Sequence, residues 1–350
     1  MLFEQILLKV IDRLNGERTI SAPFHLLRGK KSGQTILDVQ SYGLTETFSL
    51  FPRLPKSTYD KVVNSMVENQ WVTINEQSIP TLTEAGMTVK NQLPSLSLNG
   101  WLYRGNEMIF FNRLSLLTQT LSHVAAGNMS FVPVQKDEKV QRWVRTFLSQ
   151  KPYASKSFRN QFILEVEKCL LAATKLDVHR ELITYRLSGY GITGFTWQQL
   201  AADINQQPMD VQIRFVEGLH LVLNELFSQT SYPILSQLTR DVRSLNPLTE
   251  SASKTADLYH KGFSFNKISE IRHLKTSTIE DHFVEMAMND PSFDISSFFG
   301  NEDMDSVIQS IKNNSSNKLR TLKEYFPDYS YFQLRLLLAV RGDVNANRLT

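Results

Sequence analysis

The chain has 350 residues, 41% apolar and 21% charged, with 38 Lys and Arg against 35 Asp and Glu for a net charge of +3. That apolar share excludes a disordered or low-complexity protein, and the single cysteine, Cys169, excludes a disulfide framework, a cysteine-rich zinc site and a CxxC redox pair. No apolar run approaches the roughly 20 residues of a membrane span. The opening stretch carries Glu4 and Lys9 inside its apolar pattern and does not read as a signal peptide. A cytoplasmic protein is expected, and the weak positive charge permits nucleic acid without demanding it.

Residues 1–95 alternate helical and strand patterns. Leu2, Phe3, Ile6, Leu7, Val10, Ile11 and Leu14 recur at helical spacing, and Asn15-Gly16 ends that helix. Short helices are expected around Ala22–Arg28 and Ser32–Val39, separated by Gly29. Pro55, Ser57 and Thr58 then open a helix to about Asn69. Trp71–Ile74 and Ser78–Leu82 read as short strands around Asn75-Glu76-Gln77, and Thr83 caps a further helix. Helices followed by a β-hairpin are the order of a winged helix, in which the hairpin is the wing and the preceding helix faces DNA. Leu93–Leu98 is the linker to residues 96–246, an almost wholly helical stretch with no stable repeat. Its expected helices are Phe110–His123, Asp137–Gln150, Asn160–Thr174, Asp177–Leu187, Trp197–Ile204, Met209–Thr230 and Tyr232–Leu245. Nothing in its spacing indicates a task.

Residues 247–350 form a third helical segment, with helices expected at Glu250–Lys261, Phe265–Arg272, Thr276–Asn289, Ser292–Phe298, Met304–Asn313, Lys318–Tyr325 and Ser330–Arg341. Gly262-Phe263-Ser264 ends one helix and offers Ser264 as cap of the next. Ile268, small Ser269 and Leu274 fall on the inward positions of a helix-turn-helix, Arg272–Lys275 supplies the turn, and Thr278, Ile279, His282 and Phe283 run along the second helix. This pattern resembles the helix-turn-helix of response-regulator DNA-binding domains; a bare helical hairpin is the alternative. Lys254, Lys261, Lys267, Arg272 and Lys275 are matched by Asp257, Glu270, Glu280, Asp281 and Glu285. Acids on a reading helix oppose DNA unless they turn away, so Lys275, Ser277 and Thr278 at the helix start are its phosphate-contact candidates, and a protein-binding motif remains open.

Beyond that motif come Lys318-Leu-Arg-Thr-Leu-Lys-Glu and Tyr329-Ser-Tyr-Phe-Gln-Leu-Arg-Leu-Leu-Leu-Ala339. Over roughly 248–341 the combination resembles the helicase helix-turn-helix domain at the C-termini of some RecQ-type helicases. Leu27-Arg28-Gly29, Gln34, Tyr42-Gly43, Trp71-Val72 and Leu82-Thr83-Glu84-Ala85 resemble, in order, the RecQ C-terminal winged helix, with Phe48–Pro55 reading as an insertion. With this length, the chain resembles the YpbB family. The resemblance implies a RecQ-helicase-associated protein with a winged-helix domain at 1–95, a helical domain at 96–246 and a helicase-type helix-turn-helix domain at 247–350. The expected fold is therefore mainly α with one small hairpin. The helicase motor is missing, because no GxxxxGK[ST] occurs: Gly29-Lys30-Lys31-Ser32 has Phe24 where the upstream glycine belongs. No four-cysteine zinc module exists either.

The phosphate-contact candidates in the first segment are Arg28, Lys30 and Lys31, in a stretch without acids between Arg18 and Asp38, and Lys56, Ser57, Thr58 and Lys61 at the head of the winged fold's reading helix. Each set is alternatively a solvated surface. Trp101, Tyr103 and Arg104, and Tyr325, Tyr329, Tyr331 and Phe332 near Arg320 and Arg335, are base-stacking candidates or core. The seven basic residues between Lys312 and Arg348 face three acids. The seven histidines form no HExxH or His–carboxylate cluster, so no metal is expected. Cys169 reads as a buried thiol, and Glu302, Asp303 and Asp305 as a loop patch. The expectation is a non-enzymatic accessory without cofactor or small-molecule substrate, joining DNA, by structure more than by base sequence, to a RecQ-type helicase in replication, recombination or repair, associated with a bacterial nucleoid. The rivals are a helix-turn-helix transcriptional regulator and a protein scaffold without DNA contact.

Overall fold

The computed structural model describes residues 1–243, 248–290, 293–299, 307–309, 311 and 318–341. The fold is mainly helical with one two-stranded sheet. Packing groups it into two compact units instead of three consecutive segments divided at 95 and 246: Met1–Ile6 with Lys90–Ser244, and Leu7–Val89 with Leu245–Thr350. Among the described residues, no helix is long and apolar enough to cross a membrane.

The unit holding most of residues 7–89 contains most of α1 (Leu2–Arg13), then α2 (Ser21–Leu27), α3 (Gly33–Ser41), α4 (Lys56–Glu68), β1 (Val72–Ile74), β2 (Pro80–Leu82) and the start of α5 (Glu84–Asn91). The hairpin pairs Val72 with Leu82, Thr73 with Thr81 and Ile74 with Pro80. Its turn is set by Asn75, whose Oδ1 accepts from Gln77 N at 3.1 Å and Ile79 N at 2.9 Å, the local side-chain bond that makes asparagine a turn former. Thr83 heads α5 as expected: its Oγ1 accepts from Gly86 N at 3.1 Å and donates to Gln70 O at 2.6 Å. Phe48, Leu50, Phe51 and Leu54 are buried, and Ser49 N and Phe51 N donate to Leu26 O and Leu27 O at 3.0 and 2.8 Å. The stretch that reads as an insertion is thus part of the core.

The same unit contains the C-terminal elements: α14 (Glu250–His260), α15 (Phe265–Arg272), α16 (Thr276–Asn289), a 3-10 turn (Ser296–Phe298), α17 (Leu319–Tyr325) and α18 (Tyr331–Arg341). α15 starts on Ser264, as expected, and ends on His273 at φ +50°. Ser269 Oγ donates to Leu274 O at 2.8 Å, closing the turn. α16 is the core helix, buried from His282 to Met288 and packed against α14, α15, α18 and α3. Phe283 lies 5.1–5.7 Å, centroid to centroid, from Tyr259, Phe265, Phe293 and Phe298. Burying one such ring contributes about 1.5–3 kcal/mol, so this cluster fixes the unit. Within Ser292–Phe298 the helix is only the 3-10 turn among the described residues, and most of Met304–Asn313 lies outside them.

The other unit contains α6 (Gly100–Tyr103), α7 (Glu107–Ala125), α8 (Glu138–Ser149), α9 (Lys156–Ala173), α10 (Asp177–Tyr185), α11 (Trp197–Asp203), α12 (Pro208–Ser228) and α13 (Leu235–Leu238). α12 packs against α7, α9, α10 and α11. Its buried Glu217 accepts from Ser97 N at 2.9 Å, His179 Nε2 at 3.0 Å and Arg214 Nη1 at 2.9 Å. These donors hold the carboxyl below the usual carboxylate range despite burial. Among the described residues the helix expected over Tyr232–Leu245 is only α13, which ends at Leu238, and the chain turns again at Asp241, φ +64°.

Candidate nucleic-acid interface

α2 and α4 bring two of the basic sets together. Phe24 of α2 and Tyr59 of α4 are buried with centroids 5.1 Å apart, and Tyr59 OH donates to Ile20 O at 2.6 Å. This apolar contact forces the cations at the ends of both helices onto one ring. The Arg28 guanidinium lies 5.3 Å and the Lys56 ammonium 5.4 Å from the Phe24 centroid. Arg28 also donates to Pro52 O at 3.4 Å, and Lys56 pairs with Asp60. Gly29 turns the chain at φ +68°, after which Lys30 N bonds His25 O at 2.9 Å. His25 is held below the usual histidine range, first by partial burial and then by Lys30, Arg28 and Lys56. Three cations from two sequence clusters therefore share one neighbourhood.

α4 presents the accessible surface beside them. Its N-cap, Pro55, makes no side-chain cap bond. Lys56, Ser57 and Lys61 are exposed, with Thr58 half-buried. Arg53, exposed in the loop before α4 and one residue from the Pro52 carbonyl that Arg28 uses, belongs to the same surface. It is hidden in the sequence inside a stretch that reads as an insertion. Among the described residues, Lys30, Lys31, Arg53 and Lys61 make no ion pair.

The C-terminal candidates sit differently. Lys275 and Ser277 are exposed at the head of α16, while Thr278 is half-buried. Thr278 and Lys31 line one hollow of about 540 Å³ with Lys254 and Arg272 but also with three acids, Glu250, Asp281 and Glu285. Of the acids on this helix, Glu280 and Asp281 are half-buried and Glu285 is buried. Asp281 pairs with Arg335 of α18, and Glu285 accepts from Thr249 through both its N–H and its hydroxyl. Of the stacking candidates, Tyr103 is core, bonded to Asn224 and stacked 4.7 Å from His220. Tyr329 is buried and Phe332 packs on Phe265 and Phe298. Trp101 is half-buried under the Arg104 guanidinium at 4.3 Å, and Tyr325 and Tyr331 are exposed. Cys169 is buried, its thiol pushed up to about 12. Glu302, Asp303, Asp305, Lys312 and Arg348 lie outside the described residues.

A family described as a helix-turn-helix domain matches residues 251–338, the stretch from α14 to α18. Over 349 residues the chain is 30% identical to Protein YpbB of Bacillus subtilis (strain 168), covering 96% of each chain. The chain belongs to the YpbB family. No solved structure matches it. The matched helix-turn-helix domain suggests DNA binding; on α16 the exposed residues are those at its head, and half of α15 is exposed as well.

Proposed function

We propose that this protein is a non-enzymatic DNA-binding accessory of a RecQ-type helicase. In this reading α2–α5 with the hairpin form a winged helix, which meets duplex DNA through the α4 face. Arg28, Lys30, Lys31, Lys56, Ser57, Thr58 and Lys61 contact its phosphates, with Lys275, Ser277 and Thr278 at the head of α16 as further contacts. The carrying observation is the convergence of Arg28, Lys30 and Lys56 around His25 and Phe24, next to an exposed helix start. Arg28 and Lys30 carry no carboxylate partner among the described residues and release the counterions of DNA at the least cost, whereas Lys56 exchanges Asp60 for a phosphate. The sequence segments 1–95, 96–246 and 247–350 are the functional divisions of this proposal, the first and third supplying the DNA-facing surface. The helicase partner, the nucleoid location and the repair or recombination role rest on the RecQ-like residue patterns at the two ends and on the absence of a motor motif.

Fluorescence anisotropy with a forked duplex at several salt concentrations tests the DNA contact. The full chain is expected to bind, and Arg28→Ala with Lys30→Ala and Lys56→Ala to lower the slope of log affinity against log salt by roughly 3, at about 0.9 per duplex phosphate. Co-purification of the helicase with the tagged chain tests the partner. Equal slopes in both proteins rule out this surface, and no co-purification rules out the accessory role.

A further inference from the structure

The unit built on α12 carries a second basic surface that the α4 reading leaves unused. Lys139 and Arg142 of α8 and Arg240 in the turn after α13 rim a groove of about 390 Å³ whose wall is Trp143 and Phe147. Lys139, Arg142 and Thr146 recur every three to four residues, so one face of α8 points into it. All three cations are exposed, Trp143 is half-buried, and no carboxylate lines the groove among the described residues. Asp241 sits just outside, 3.8 Å from Arg113, and Asp137 and Glu138 lie exposed at the head of α8.

The aromatic wall is rigid. Trp143 and Phe147 run parallel, 11° apart with centroids at 5.3 Å. Buried Arg113 holds its guanidinium 4.3 Å from the indole centroid. Two carbonyls from the turn that carries Arg240, those of Leu238 and Arg240 itself, accept from Arg113 Nη1. One buried arginine thus ties the indole to the opposite cationic rim.

We infer that this groove binds single-stranded nucleic acid, with phosphates on Lys139, Arg142 and Arg240 and a base against the exposed part of the Trp143 indole. Cations without acids select a polyanion, and an aromatic wall rewards only a base whose face is not already stacked in a duplex. The occupant is therefore an unpaired strand, chemically distinct from the duplex assigned to α4.

The test uses the full chain and a labelled oligothymidine of about 12 nucleotides, within the usual span of such sites. Arg142→Glu with Arg240→Glu, both on exposed side chains, is expected to weaken oligothymidine at least tenfold while leaving binding of a blunt-ended, fully paired duplex through the α4 face within about twofold. Trp143→Phe is expected to abolish the oligothymidine-induced quench of tryptophan fluorescence and to lower affinity several-fold. The α4 variant Arg28→Ala/Lys30→Ala/Lys56→Ala should keep its oligothymidine affinity, so the two surfaces fail or stand separately. Unchanged oligothymidine affinity in the Arg142/Arg240 variant overturns the inference. So does displacement of the strand by a free nucleoside triphosphate at equal phosphate concentration, which assigns the groove to a mononucleotide.

Discussion

His25 is the reporter of the α2–α4 surface. Its imidazole is held low by partial burial and by Lys30, Arg28 and Lys56. Phosphates settling on those cations remove that repulsion, so duplex binding is expected to raise the His25 pKa, take up a proton and tighten as pH falls from about 8 to about 6. Ring-proton NMR titrations with and without duplex measure this, and an unmoved His25 curve would exclude phosphate at the cluster. His282 reports on stability. Arg272 Nη1 donates to Thr255 Oγ1 at 2.8 Å, leaving the Thr255 hydroxyl to donate to His282 Nδ1 at 2.8 Å. A proton on that nitrogen takes away the acceptor of the Thr255 hydroxyl and sets a cation beside Arg272. Burial first, then Arg272, lower the His282 pKa, with Asp281 opposing. The folded pKa lies below the unfolded value of about 6.5, so the unfolded state binds the proton first. This contribution is complete above about pH 6.5 and is lost as pH falls through it towards the folded value. Urea midpoints measured from about pH 7.5 to about pH 5.5 are expected to fall, and less so in His282→Gln, which keeps an acceptor for Thr255.

Among the elements, the hairpin and α5 depend on one glycine. A Cβ on Gly86 would lie 2.0 Å from Trp71 O, a backbone atom that also accepts from Thr83 N at 3.1 Å. Gly86→Ala must shift either the chain entering β1 or the start of α5, and is expected to destabilise the unit by about 1–3 kcal/mol. Chemical denaturation measures the cost, and a variant as stable as the parent would show that α5 is not docked this closely. Caps, strands and the long helices were legible because they depend on neighbours in sequence. Ser32, Thr83 and Ser264 make the bonds their positions imply, and the helix breaks at Gly16 and Gly262 fall at positive φ. The exceptions had non-local causes. Tyr232–Leu245 keeps its apolar spacing, yet the chain turns at Asp241 while Glu165 of α9 accepts from Ile234 N and Leu235 N at 2.8 and 3.0 Å.

Among the packing units, the first and last thirds of the chain depend on each other. α3 buries Ile36, Leu37 and Val39 and packs on α16 and α18, and Gly33 lies where a Cβ would be 2.6 Å from Asp281 Oδ1. A chain ending before residue 248 therefore loses the cover of α3. Amide exchange across residues 33–41 is expected to rise to that of an unprotected helix in such a truncation, at least 100-fold above the full chain, since exchange then follows local opening. Retained protection would mean that the N-terminal elements fold without their C-terminal partners. Within this unit the charge of half-buried Asp281 is paired with Arg335.

From the amino-acid order alone came the helical class, the hairpin, the helix-turn-helix and the basic residues around 28–31, 56–61 and 275–278. Periodicity, capping and charge runs are local properties written into adjacent positions. Long-range packing decided which of those residues share a surface. It set Arg28 and Lys56 on one phenylalanine ring, drew α3 onto α16, paired Asp281 with Arg335, buried Glu285 against Thr249 and placed Arg113 behind Trp143. Such meetings join positions tens to hundreds of residues apart, and no spacing rule along the chain specifies them; burial of apolar side chains does.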